Sequence, residues 1–180
     1  AAAIAPVGGG SGPSGAMAAA EVDPAQVLEL PQGWEARESE SHPGNIYFFN
    51  VYSRVGRWQK PDRATAIPQK VRASHILVKH AGCRNPKSHR TGEAVTRSAD
   101  EAVEFLTGLQ TELMEDPERF GELASKHSDC SSFKRAGNLG SFGPRKMQPE
   151  FENASFHLAV NEISGIIETD SGFHLVLRTA

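Results

Sequence analysis

The chain has 180 residues, 38% of them hydrophobic and 23% charged, which are the proportions of a folded, soluble protein. Its 19 Lys and Arg stand against 22 Asp and Glu, a formal net charge of -3, so no global basic field points to nucleic acid and any anion recognition is local. Two cysteines, no Cys-x-x-Cys pair and no apolar run near the ~18 residues of a bilayer span exclude a disulfide framework, a metal centre and a membrane anchor from the expectations.

Residues 1–29 open as an Ala/Gly/Pro/Ser-rich tail, uncharged over its first 20 positions, with too few large apolar groups to offset chain entropy. It lacks the basic start and unbroken apolar run of a signal peptide, and Met17 offers one initiator. Residues 30–61 change character, with Trp34 and Trp58 bracketing Tyr47-Phe48-Phe49-Asn50. Turn signals at His42-Pro43-Gly44-Asn45 and Ser53-Arg54-Val55-Gly56 predict three short strands. With Leu30-Pro31-x-Gly33-Trp34 at one end and Trp58-x-x-Pro61 at the other, this stretch resembles a WW domain. That resemblance implies a buckle of Trp34 with Pro61. It also implies a ligand groove of Tyr47 and Trp58, with Ser39 at its first loop, for a pre-extended proline-rich segment. Phosphate-reading members carry Ser-Arg where this chain has Ser39-Glu40, and a glutamate there repels phosphate.

Residues 62–70 form a linker that spans at most about 30 Å. The stretch from Val71 to His80 then alternates, with Ala73, His75, Leu77 and Lys79 on one face and Ser74, Ile76, Val78 and His80 on the other. This predicts a half-buried strand whose mixed His/Leu/Lys face lines a cleft. Arg84, Lys87, His89 and Arg90 follow in a basic loop suited to an anion, with Cys83 read as an exposed bystander thiol. Ser98 and Glu101 form a capping box for a helix with the core stripe Ala102, Phe105, Leu106, Leu109 and Leu113. Pro117 opens a second helix, packed through Phe120, Leu123 and Ala124, and Pro149 a last one carrying Phe151 and Phe156. Ile166 to Thr169 and Phe173 to Arg178 read as a terminal hairpin around Asp170-Ser171-Gly172.

The runs SHILVKH, SDCSS, LGSF and DSGFHLVLRT make residues 71–180 resemble a parvulin-type peptidyl-prolyl isomerase, and with the WW-like segment the chain is similar to the Pin-type enzymes. The implied fold is α+β: a four-stranded antiparallel sheet surrounded by about four helices, preceded by a small all-β three-stranded domain. The implied activity is cis–trans rotation about phosphoSer/Thr-Pro bonds of partner proteins. No cofactor, metal, nucleic acid or membrane is involved, and the chain is expected as a monomer in nucleus and cytoplasm. The resemblance assigns His75, His174, Thr169, Cys130 and Ser171 to the rotating amide, with Ser132 either near it or serving a turn. It assigns Leu139, Met147, Gln148 and Phe151 to the proline slot, and Lys79 and Arg84 to the phosphate. Cys130 either attacks covalently or supplies negative character that disfavours the planar amide; distortion without covalent attack suffices for a torsional barrier. Asn85 stands where the family shows a second arginine, which leaves open a broad or acidic-Pro specificity, or a phosphopeptide adaptor without turnover.

Overall fold

The structure, a computed structural model, describes residues 30–61 and 68–180. The tail at 1–29 and linker residues 62–67 lie outside the described residues. The chain divides into two units, 1–66 and 67–180.

In the first unit, β1 (Trp34–Glu38), β2 (Ile46–Asn50) and β3 (Val55–Arg57) form an antiparallel sheet in that order. The central strand is the aromatic one, so Phe48 is buried between its neighbours. Asn50 closes the sheet: its Oδ1 accepts from the backbone N–H of Tyr52 and of Ser53, both at 3.0 Å, an Asx turn that competes well with strand geometry. The second turn therefore falls at 51–54, ahead of the position expected from Ser53-Arg54-Val55-Gly56, and Val55 and Gly56 belong to β3.

The second unit is built on β4 (Val71–Val78), β5 (Asn138–Phe142), β6 (Ile167–Thr169) and β7 (Gly172–Arg178), antiparallel throughout in the order β5-β4-β7-β6. Three α-helices and two short 3-10 turns accompany it among the described residues, where about four helices are expected from the family. Helix α1 (Ala99–Glu115) starts at the predicted capping box: Ser98 Oγ accepts from Glu101 N–H, and the Glu101 carboxylate accepts from Ser98 N–H at 2.7 Å. Such a cap contributes about 1 kcal/mol. Pro117 opens a 3-10 turn, Pro117–Arg119, which runs into α2 (Phe120–His127); Pro149 opens α3 (Pro149–His157).

Strand β4 is buried on both faces from Ala73 onward, not half-buried. One face sends Ile76 and Val78 into a core with Leu106, Leu109 and Leu113 of α1, Phe120 and Leu123 of α2, and Phe173 and Leu175 of β7. Each such side chain contributes about 1.5–3 kcal/mol when fully buried. The other face carries His75, whose ring meets Phe151 of α3 edge-on, and Leu77. The helical stripe holds except at Phe105, which is exposed and packs edge-on against His127 instead of entering the core. Its spacing places it at the margin of the apolar face, beside Leu106 and Leu109, which the sheet covers.

Candidate active site

The site is assembled on the second face of the sheet by strand register. Leu77 of β4 pairs with His174 of β7, so His75 lies diagonal to His174 on the same face. The imidazoles stack at 5.3 Å between centroids, with Nδ1 facing Nδ1 at 3.1 Å. His75 Nε2 lies 3.1 Å from Ser132 Oγ, and His174 Nε2 lies 2.8 Å from Thr169 Oγ1. Thr169 Oγ1 also accepts the N–H of Ser171 at 3.1 Å. Phe151, on α3, presents its ring edge-on to both imidazoles, at 5.4 and 5.3 Å. All four members of the chain Thr169–His174–His75–Ser132 are buried. Burial and the neighbouring His75 hold His174 well below the ordinary histidine value, so it is neutral.

Ser132 is thus bonded into the network instead of serving only a turn. Gly137 makes the close approach possible. Its N–H donates to the Ser132 carbonyl and its own carbonyl accepts from His75 N–H at 3.0 Å. Its φ is +80°, and a Cβ there would lie 2.5 Å from the His75 carbonyl oxygen.

Cys130 opens the 3-10 turn Ser131–Arg135. Burial pushes its thiol up, but the hydrogen bond and charge of His75 and the hydrogen bonds of Ser132 outweigh it and bring the thiol down to about 6. It lines a cavity of about 230 Å³ with Leu77, Lys79, Arg84, His89 and Ser171. Ser171 in turn accepts from Gln148 Nε2 at 2.8 Å. Met147 and Gln148 sit on a segment held from α3: the Glu152 carboxylate accepts N–H bonds from Arg145, Lys146 and Met147 at 2.8, 3.0 and 3.3 Å. Leu139 is half-buried on β5, the strand edge beside His75.

Lys79 departs from the picture of a cation waiting in solvent. It is buried, and its Nζ donates to the carbonyls of Asn85 and Lys87 at 2.9 and 2.8 Å. Two of its three donors therefore hold the basic loop. Arg84 is exposed, and its backbone N–H donates to the Asp170 carbonyl at 2.9 Å, tying the loop to the turn that carries Ser171. Cys83 is buried, not exposed as expected, because the β6–β7 turn packs over it. It accepts the N–H of His80, and a Cβ on Gly172 would lie 3.3 Å from its sulfur.

Sequence reasoning misses the clamp behind the site. Ser128 Oγ accepts from Leu77 N–H, and the fully buried Asp129 carboxylate accepts from Lys79 N–H at 3.0 Å and pairs with Arg97 at 3.4 Å. The signal is a Ser-Asp pair directly after a helix end and before Cys130, read only as part of a motif. Among the described residues no His/Cys/Asp/Glu cluster has the makings of a metal site.

In the first unit, Trp58 is exposed and meets the buried Tyr47 edge-on at 6.2 Å, while His42 of the first loop meets Trp58 edge-on at 5.4 Å. Ser39 does not line this surface: it is buried, and its Oγ accepts from His42 N–H, closing the loop on itself. Arg37 covers the Phe49 ring at 3.9 Å and pairs with Glu35.

The family described as rotamase, PPIC-type PPIase domain, matches residues 75–180. The peptidyl-prolyl cis-trans isomerase ESS1 of Saccharomyces cerevisiae is 41% identical over 167 residues, covering 87% of this chain and 97% of that protein. The Pin1 isomerase of Digitalis lanata is 52% identical over 114 residues, 62% of this chain and 97% of its own length. Among solved structures, the isomerase ESS1 from Candida albicans superposes with a TM-score of 0.62 at 34% identity, covering 84% of this chain and 96% of that one.

Proposed function

This chain belongs to the PPIC-type peptidyl-prolyl cis–trans isomerase family and speeds rotation about X–Pro bonds in peptides and proteins, and on that premise we propose that the bonds it selects follow a phosphorylated serine or threonine. The observation that carries this is the cavity that Arg84 and Lys79 share with Cys130 and Ser171. Consecutive residues are only ~3.8 Å apart, so a phosphate on the residue before proline and the rotating amide need one common cavity.

An X–Pro amide rotates slowly because conjugation worth ~18–20 kcal/mol is lost at the twisted midpoint. No bond is broken, so the enzyme acts by binding the twisted amide better than either planar form. Phe151, with Leu139 and Met147, receives the proline ring in an apolar slot. The His75–His174 pair, held by Thr169 and Ser132, gives that slot a floor of fixed polarity. Cys130, lowered to about 6, faces the carbonyl as a thiolate at neutral pH. A planar amide concentrates negative charge on its oxygen, so an anion beside it raises the planar states more than the twisted one. Gln148 and Ser171, bonded to each other, supply polar contacts at the slot's rim.

Tyr47 and Trp58 form the groove of a proline-motif-binding WW domain in this reading, with phosphate preference there weakened by Glu40. Asn85, on the cavity wall, favours as second reading a tolerance for Glu-Pro. The protein acts as a monomer in the nucleus and cytoplasm, to be checked by sedimentation and by imaging of a tagged chain. Comparing kcat/KM on pSer-Pro, Glu-Pro and Ala-Pro peptides tests the specificity. A clear preference for pSer-Pro is expected; equal rates on all three sink it.

A further inference from the structure

We propose that His89 is the second phosphate-facing donor of the cavity, and so a specificity-determining residue for the isomerase reaction. The inference rests on the phosphate-directed reading above. A phosphoserine carries close to two negative charges and three acceptor oxygens at neutral pH. The basic side of the cavity answers with less than its composition suggests. Lys79 has given two donors to the carbonyls of Asn85 and Lys87, and Asn85 is uncharged. Arg84 supplies one guanidinium fork, which satisfies two oxygens. To the third, the other wall residues Asn85, Ser131 and Ser171 offer only neutral donors, whereas His89 offers a ring N–H that can also carry positive charge.

The chain builds its position with care. Residues 87–94 fold back as a small antiparallel loop, with a bridge between Lys87 and Ala94 and with Ser88 N–H donating to the Glu93 carbonyl at 2.9 Å. Ser88 is buried at the base, and its Oγ accepts from the N–H of Arg90 and Thr91. His89 N–H donates to the carbonyl of Asp129 at 3.0 Å, which pins its backbone to the residue preceding Cys130. The imidazole is therefore exposed on a fixed backbone, with only two side-chain torsions to order when a ligand arrives. It offers an N–H donor in either charge state and a positive charge when protonated.

The test measures kcat/KM on matched pSer-Pro and Ala-Pro peptides for the full chain, His89→Ala, His89→Gln and His89→Arg. Loss of a charge-assisted hydrogen bond predicts that His89→Ala lowers the pSer-Pro/Ala-Pro ratio by about tenfold. His89→Gln, which keeps a donor at similar reach, loses less, and His89→Arg restores or raises the ratio. A wild-type ratio well above one that His89→Ala leaves intact overturns the assignment of His89 alone. A wild-type ratio near one overturns the phosphate reading and this inference with it. Equal losses on both peptides, with no rescue by arginine, reduce His89 to a structural role and also overturn the proposal.

Discussion

The Nδ1 atoms of His75 and His174 face each other at 3.1 Å, so one carries a hydrogen and the other is bare. That constraint propagates. Thr169 Oγ1 already accepts from Ser171 N–H, leaving one hydrogen to point to His174 Nε2 at 2.8 Å or to the Gly172 carbonyl at 3.4 Å. If the shorter contact takes it, His174 donates through Nδ1 to His75, and His75 Nε2 is left as a donor toward Ser132 and the sulfur of Cys130. This direction agrees with the lowering of the Cys130 thiol by its hydrogen bond to His75. A hydroxyl at the end of a short strand thus sets the polarity beside a sulfur on another element.

The Cys130 thiol titrates near 6, with burial opposing and His75 and Ser132 prevailing. The rate of its alkylation by iodoacetamide is expected to rise through a midpoint about there. His75→Asn removes the larger lowering contribution and moves the midpoint up toward the ordinary thiol range. The folded-state value is below the unfolded one, so the thiolate contributes stability at alkaline pH that disappears as pH falls through about 6. A midpoint near that of a free thiol in the wild-type chain contradicts this account.

Replacing Cys130 by Asp separates charge from covalent chemistry. An aspartate keeps a negative group beside the carbonyl and has no sulfur to add to it as a tetrahedral thiol adduct. Activity within about tenfold of wild type is expected for Cys130→Asp, and a larger loss, on the order of a hundredfold, for Cys130→Ala, which has no charge. The reverse order in a protease-coupled isomerisation assay refutes distortion by charge.

His174 is held neutral by burial and by His75. Its folded value lies below the unfolded one near 6.5, so below that pH the unfolded chain takes up a proton that the folded chain refuses. Stability therefore falls as pH drops through about 6.5 and below. Urea unfolding of residues 68–180 within the full chain, followed at neutral and mildly acidic pH, is expected to show this slope, and His174→Asn is expected to flatten it. An unchanged slope in the variant places the acid sensitivity elsewhere.

The alternation of residues 71–80 announces which side chains share a face, and the capping box at Ser98 announces where α1 starts, because both are local patterns. The pairing of His75 with His174 is legible only through the family resemblance, since 99 residues separate them and strand register decides their meeting. What stays hidden follows the same division. Burial of β4 on both faces depends on partners distant in sequence, Phe151 of α3 over His75 among them, a tertiary event with no mark in the strand itself. Phe105 obeys helical spacing yet stays outside, at the margin of the apolar face, where it meets His127 and not the core. Ser128 and the loop-directed ammonium of Lys79 meet backbone atoms, as does Asp129 apart from its pairing with Arg97, and backbone atoms leave no trace in residue identity.

Lys79 offers the sharpest test of that last kind of interaction. Its ammonium donates to the Asn85 and Lys87 carbonyls, while its backbone N–H is held by Asp129. Lys79→Met preserves most of the aliphatic stem and removes both donated bonds. Each charge-assisted bond contributes about 1.5–3 kcal/mol in isolation, and relief of the buried charge offsets part of it, so a net loss of roughly 1–3 kcal/mol is expected. The local consequence is more telling than the global one. Freed of its tether, the loop that bears Arg84 and His89 loses its fixed distance from Cys130, and amide exchange across Lys87–Val95 quickens. The kcat/KM on pSer-Pro peptides then falls further than on Ala-Pro peptides, because only the former depends on the loop's position. If Lys79 served the phosphate alone, the methionine variant would lose selectivity with loop exchange unchanged; quickened exchange with selectivity intact would instead show a loop that the substrate does not use.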